Sequence, residues 1–250
     1  MKLLNRKLAG IISLCAIAVI AAGVWTIVRS TKNRVQIEFD IHINRQEIYL
    51  STYAEPPQFA IWIENPDNGQ REQIFVTYRA SRDDWEGKTQ VPVAIPRWTE
   101  VFRNGASHER AGDEIAISGA TPREEYFRVR AEVRPGSRWI CWIEMNLAGD
   151  YNEYYPRFNR LTKEEDEFSC GQPALLYRTD IRAEKGNRYV PEIVSVSLWH
   201  DGKNELVPLD STITSAQRVF DEMHVRIVEP KPQIVNLKKV EQQDVLKSLH

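Results

Sequence analysis

A chain of 250 residues with 42% apolar and 27% charged residues has room for one large domain or two small ones around a sizeable core. Its formal charge of −2 is unevenly placed: residues 1–34 hold six of the 33 Lys and Arg and none of the 35 Asp and Glu, so the rest of the chain is acidic by eight charges. That excludes a basic nucleic-acid binder, and three cysteines without a CxxC pair exclude a dithiol redox motif and a zinc-ribbon pattern.

Leu8 to Val28 is apolar and free of charge, with Lys2, Arg6 and Lys7 before it and Arg29, Lys32 and Arg34 after. At about 1.5 Å per residue it spans a hydrocarbon core of roughly 30 Å. It reads as an uncleaved transmembrane anchor. The small residues Ala16–Ala18 and Ala21–Gly23 leave a cleaved signal sequence as the alternative, although the run continues through Trp25, Ile27 and Val28. The flanking charges balance, and the short tail favours an inside N-terminus. The expected organisation is a cytoplasmic tail at 1–7, an anchor at 8–28, a domain at 35–229 and a C-terminal tail at 230–250. The protein is then single-pass in the inner membrane, with its domain in the periplasm or extracytoplasmic space.

In the segment Val35 to Leu50, Val35, Ile37, Phe39, Ile41 and Ile43 alternate with polar residues, the mark of a strand with one buried face. Phe59–Glu64 and Gln73–Arg79 flank the turn-rich Asn65-Pro66-Asp67-Asn68-Gly69 and predict a hairpin. Residues 80–112 read as a long connection with a helical turn near Arg97–Arg103. Tyr126–Val133 and Arg138–Asn146 predict a second hairpin through Pro135-Gly136-Ser137. Ala148 to Ser169 is a polar, aromatic-rich surface excursion. Strands follow at Ala174–Ile181, Arg188–Trp199 and Glu205–Leu209. A short helix is expected after Thr214 or Ser215, with Ala216, Val219, Phe220 and Met223 on one face, and then a last strand at Val225 and Ile227. The tail from Gln233 is either a loose amphipathic helix or disordered. The predicted fold is mainly β: an antiparallel β-sandwich of immunoglobulin-like architecture with one short C-terminal helix, plus the N-terminal transmembrane helix.

Chemistry-bearing patterns are few. The loop Ser118-Gly119-Ala120-Thr121 is small enough for backbone amides to approach an anion, and it also reads as a plain turn leaving through Pro122. His42, His108, His200, His224 and His250 share no metal-ligand spacing, no serine sits in a G-x-S-x-G elbow, and Glu164-Glu165-Asp166-Glu167 reads as a solvated face. No catalytic or metal residue is therefore assigned. Tyr151, Tyr154 and Tyr155, with exposed members of the set Trp62, Trp85, Trp98, Trp139, Trp142 and Trp199, are candidate platforms for a carbohydrate or envelope polymer, while most of the tryptophans are expected to pack. Of Trp139 and Trp142, which point to opposite faces, only one can reach a single core. Cys141 and Cys170 either pair or stay as free thiols.

The ISGATP loop resembles those of FMN-binding domains in which a threonine carries FMN through a phosphoester. Here Ile115 stands where such domains place an acid before the threonine. More broadly, FAIWIENPDNGQREQIFVTYR, ISGATP, the strand pair ending in WIEMN, CGQPALLYRTDI, SVSLWHDG and TITSAQRVFDEMHVRI occur in that order over roughly residues 35–228. The succession resembles a bacterial extracytoplasmic family of unknown function with a WIED-like strand, a GATP loop, a GQPSLVY-like box and a final helix. The resemblance implies a β-sandwich-like exported domain. It also implies the company of PepSY-type membrane proteins and flavinylated FMN-binding electron-transfer domains. It supplies no catalytic residues. The anchor-like start, Cys170 before the GQP box and the 148–169 excursion depart from the family pattern. Three functions follow as expectations: a non-enzymatic accessory or assembly subunit of a membrane complex, a flavin-linked electron carrier with FMN at Thr121, and a carbohydrate-binding module.

Overall fold

The computed structural model describes residues 34–82, 91–103, 117–119, 125–166 and 168–230. β1 (Val35–Ile43) buries Val35, Ile37, Phe39, Ile41 and Ile43, as their alternation demands. It ends where Asn44 turns its side chain to accept the Gln46 amide at 3.0 Å, capping α1 (Arg45–Leu50). β2 (Gln58–Glu64) and β3 (Arg71–Thr77) form the expected antiparallel hairpin. Three short helices follow: α2 (Tyr78–Arg82), α3 (Val91–Ala94) and α4 (Pro96–Phe102), the last at the predicted helical turn. The remaining strands are β4 (Ile117–Gly119), β5 (Tyr126–Val133), β6 (Arg138–Asn146), β7 (Ala174–Arg182), β8 (Arg188–Tyr189), β9 (Glu192–His200), β10 (Lys203–Val207) and β11 (Phe220–Val228).

They form two sheets, ordered β5-β1-β11-β8 and β10-β9-β7-β6-β2-β3-β4, antiparallel except where β4 joins β3. Val35–Val228 is one compact, β-sandwich-like unit. Its main core lies between the sheets. Phe127 and Phe220 from the smaller sheet meet Phe59, Phe75 and Tyr177 from the larger, with ring centroids 4.5–6.2 Å apart. Rings at such tilted and edge-on separations add to the area they bury.

Two expectations are corrected. β5 and β6 are not a hairpin: β5 pairs with β1, and β6 pairs with β2 and β7 in the other sheet. The turn between them is stitched to the end of β7, because Gly136 donates its amide to the Ala183 carbonyl and Ala183 donates back to Ser137, both at 2.9 Å. Alternation identifies a strand and its buried face, not its neighbour. The predicted C-terminal helix is a single 3₁₀ turn, Ser215–Arg218, and Thr214 makes no side-chain cap. Phe220 and Met223 lie in β11 and are buried there, so their helix-like spacing belongs to two different elements. As expected from their opposite faces, Trp139 and Trp142 do not share a core; both pack, because the larger sheet has a core on each face. Its outer face carries a second cluster in which Ala60, Trp62, Val76 and Leu176 lie under Ala80, Ile95 and Trp98 of the helical segment. That explains why β2 is apolar almost throughout rather than alternating.

The outer face of the smaller sheet is a charge lattice. Glu38, only 4% exposed, accepts from Arg130 Nε at 2.6 Å and from Arg226 at 3.0 Å, while Asp40 accepts from Arg128 at 2.9 Å. Among the described residues no helix is long and apolar enough to cross a membrane. The expected anchor at 8–28, Trp85, His108, the Ala120-Thr121-Pro122 part of the SGATP loop, and residues 231–250 lie outside the described residues.

Candidate functional site

The excursion between β6 and β7 is built on a buried lock. Asp150, 5% exposed, accepts the Gln172 backbone amide at 2.8 Å on Oδ1 and the Gln172 side-chain amide at 3.0 Å on Oδ2. Gln172 Nε2 also donates to the Asp150 carbonyl at 2.8 Å and to Ser215 Oγ at 2.5 Å, and its Oε1 accepts the Thr214 amide at 2.6 Å. One fully buried glutamine thus ties the start of the excursion, its end, and the 3₁₀ turn before β11. Gly171 must pass beside Asp150: its φ is +68°, and a Cβ there would sit 2.6 Å from Asp150 Oδ1. The Gly-Gln-Pro box is therefore a structural requirement. Burial pushes the Asp150 carboxyl up to about 8, against the pull of the Gln172 amide.

Further along, Asn152 Oδ1 accepts the amides of Tyr154 and Tyr155 at 2.9 and 2.8 Å, and its Nδ2 donates to the Thr212 carbonyl at 2.8 Å. A small finger follows, closed by the Phe158–Glu165 bridge and an Arg157–Glu165 ion pair at 2.7 Å. Asn159 Oδ1 caps its tip by accepting the Leu161 and Thr162 amides at 2.9 and 3.1 Å.

Finger and lock together wall a cleft of about 430 Å³, within the size range of small-molecule sites. Its lining includes Tyr154, Tyr155 and Pro156 from the start of the finger and Glu164, Glu165 and Asp166 from its end. Gly171 and Pro173 lie beside the lock, and Ser197, Leu198 and Trp199 of β9 close the cleft with Val93 of α3. The α3–α4 side is itself held by a buried carboxylate. Ile95 and Pro96 offer no side-chain cap to α4, so Glu144 of β6 accepts the Arg97 and Trp98 amides at 2.9 and 2.7 Å. Burial pushes the Glu144 carboxyl up to about 7, while the Ser197 hydroxyl and these two amides pull it down.

The structure brings together two of the three predicted tyrosines. Tyr154, 55% exposed, and Tyr155 line the cleft, although Tyr155 also packs on the main core, with its hydroxyl 3.4 Å from Thr212 Oγ1. Tyr151 is placed elsewhere: its hydroxyl lies 3.3 Å from that of Tyr53, which donates to Ser169 at 3.1 Å. Burial, then the Tyr53 contact, raises its phenol above the ordinary range. Of the flavin-loop candidates, Ser118 and Gly119 sit in β4 opposite Val76 and Thr77, and Ala120 and Thr121 lie outside the described residues. Cys141 and Cys170 are both free. Burial raises both thiols well above the usual range, with Asp166 and Asp150 adding to it at Cys170.

Glu144, Asp150 and Gln172 were not among the residues expected at a site, and Trp199 was expected there only as one of several tryptophans that an exposed platform could use. Nothing local marks Glu144 except a carboxylate within an apolar run, and Gln172 is signalled only by the Gly-Gln-Pro box. A scan of protein-family models finds no match to this chain, and comparisons with curated proteins and with solved structures find none either.

Proposed function

We propose that this protein is a non-enzymatic, membrane-anchored extracytoplasmic binding subunit that accompanies or helps assemble a membrane complex. The observation that carries the proposal is the cleft: its lining is fixed in advance by two buried carboxylate locks, at Asp150 and Glu144. Order of this kind lowers the entropy lost on binding. The apolar run at Leu8–Val28 would tether the domain at the membrane, and the motif resemblance points to the same compartment. An immunoglobulin-like architecture belongs to the same proposal, supported by two largely antiparallel sheets whose strands alternate between them along the chain. The test is detergent extraction of the natively expressed chain followed by affinity purification. A stoichiometric protein partner is expected, and a chain that runs alone as a monomer refutes the subunit reading.

A carbohydrate or envelope-polymer ligand is the second reading, favoured by Tyr154 and Trp199 in one cleft. Glycan-array binding abolished by Tyr154→Ala supports it, and a silent array counts against it. Tyr154 is the residue to change, because Tyr155 also supports the core.

A further inference from the structure

Resting on the binding-subunit reading, we propose that the cleft is a socket for a basic side chain, lysine or arginine, on a peptide segment of the partner. Three features of the cleft select that occupant. First, its described lining includes Glu164, Glu165 and Asp166 and no basic residue, and residues 35–250 as a whole are acidic by eight charges. Second, these carboxylates are unequally committed. Asp166 spends both oxygens on the Phe168 and Gly171 amides, each at 3.1 Å, and Glu165 is paired with Arg157. Glu164 uses its own amide toward Thr162 Oγ1, and no described residue pairs with its carboxylate. Third, the same lining is aromatic as well as acidic: Tyr154 and Trp199 share the cleft with Glu164, and a ring beside a carboxylate suits a cation on an organic stem. The walls also explain why the occupant is a side chain with an aliphatic stem rather than a bare ion: Val93, Leu198, Pro156 and Pro173 give that stem an apolar passage. The finger beside the cleft already stacks a guanidinium on a ring, Arg157 over Phe158 at 5.3 Å.

The test uses the full chain in detergent and three blocked tripeptides, Gly-X-Gly with X lysine, arginine or norleucine, followed by amide and indole NMR shifts. The lysine and arginine peptides are expected to move the Gly171 amide and Trp199 indole signals, and the norleucine peptide is not. Glu164→Gln should weaken binding about tenfold, as should salt at about 0.5 M. Tyr154→Leu should weaken it about threefold through the lost ring face. Both substitutions sit on exposed side chains, so the fold is kept. Equal binding of norleucine, unmoved Gly171 and Trp199 signals, or a Glu164→Gln protein that binds as well as the parent each overturns the socket. So does binding of a glucosamine oligomer with all three peptides silent. If a partner co-purifies equally with the parent and with the Glu164→Gln/Tyr154→Leu double variant, the socket fails and the subunit reading stands. If the parent purifies without a partner, it is the subunit reading that fails.

Discussion

Replacing Gly171 by alanine tests the lock that shapes the cleft. Two penalties add. The left-handed backbone at φ +68° costs an L-residue about 1–2 kcal/mol. The new Cβ would also lie 2.6 Å from Asp150 Oδ1 and 2.8 Å from the Asp150 backbone nitrogen. Asp150 cannot retreat without stretching its 2.8 Å bonds to the Gln172 backbone and side-chain amides, and Gln172 is fully buried. Overpacking of this kind costs about 1–3 kcal/mol, and a lost buried hydrogen bond about 1–3 more. Gly202→Ala isolates the first penalty, because its φ is +77° and nothing lies within 4 Å of the added Cβ. Urea and thermal unfolding of the full chain should place Gly171→Ala at least about 2 kcal/mol below Gly202→Ala, a melting difference of about 4–8 °C. Equal destabilisation of the two variants would refute the claim that close passage beside Asp150, rather than backbone conformation, makes this glycine necessary.

The two buried carboxylates predict a pH dependence. Their folded values, about 7 for Glu144 and about 8 for Asp150, lie above the ordinary 4.5 and 3.8, so the unfolded chain ionises first. Their contribution is complete below about pH 4, declines as pH rises, and is fully lost above about pH 8. In Glu144→Gln the fall in urea midpoint between pH 5 and 8 should be smaller than in the parent; an unchanged slope would exclude Glu144 as a source. At pH 5, where the parent keeps most of its contribution, the same variant is less stable, since its NH₂ faces an amide donor from Arg97 or Trp98. Tyr177→Phe should be neutral or stabilising by about 1 kcal/mol in urea melts, because the Tyr177 hydroxyl is buried in the main core without a hydrogen-bond partner among the described residues. Glu38→Gln should cost about 2 kcal/mol, less at high salt. It removes the carboxylate shared by Arg130 and Arg226, whose side chains remain 38% and 34% exposed and keep part of their hydration. Unfolding measured at low and high salt checks both parts of that expectation.

Much of the strand inventory was legible from the sequence. β1, the β2–β3 hairpin, the turn at Asp201-Gly202 and the positions of β5, β6, β7 and β9 all follow from period-two alternation and turn residues. The candidate site was legible only in fragments. Tyr154 and Tyr155 could be named as aromatic residues in a polar loop, but Trp199 is 44 residues beyond Tyr155 and Glu144 reads as one more strand residue. The acidic run from Glu164 reads as solvated, and Glu164 and Glu165 are indeed exposed; what alternation cannot convey is that they and Asp166 line one cleft with a tryptophan from β9.

By itself the sequence determined where the chain extends, where it turns, which face of each strand is apolar, and that the domain is acidic. These are local properties, set by backbone sterics and by the period of the side chains. Tertiary structure alone decided that β5 and β6 part into different sheets, that Trp139 and Trp142 each have a core, and that Phe220 and Met223 belong to a strand. It also decided that Glu144 caps a helix 46 residues away at Trp98 and that Gln172 joins Asp150 to Ser215. The reason is the same in each case. A buried polar group must find its partner wherever the packed chain supplies one, and that choice depends on which elements meet, not on the residues beside it in sequence.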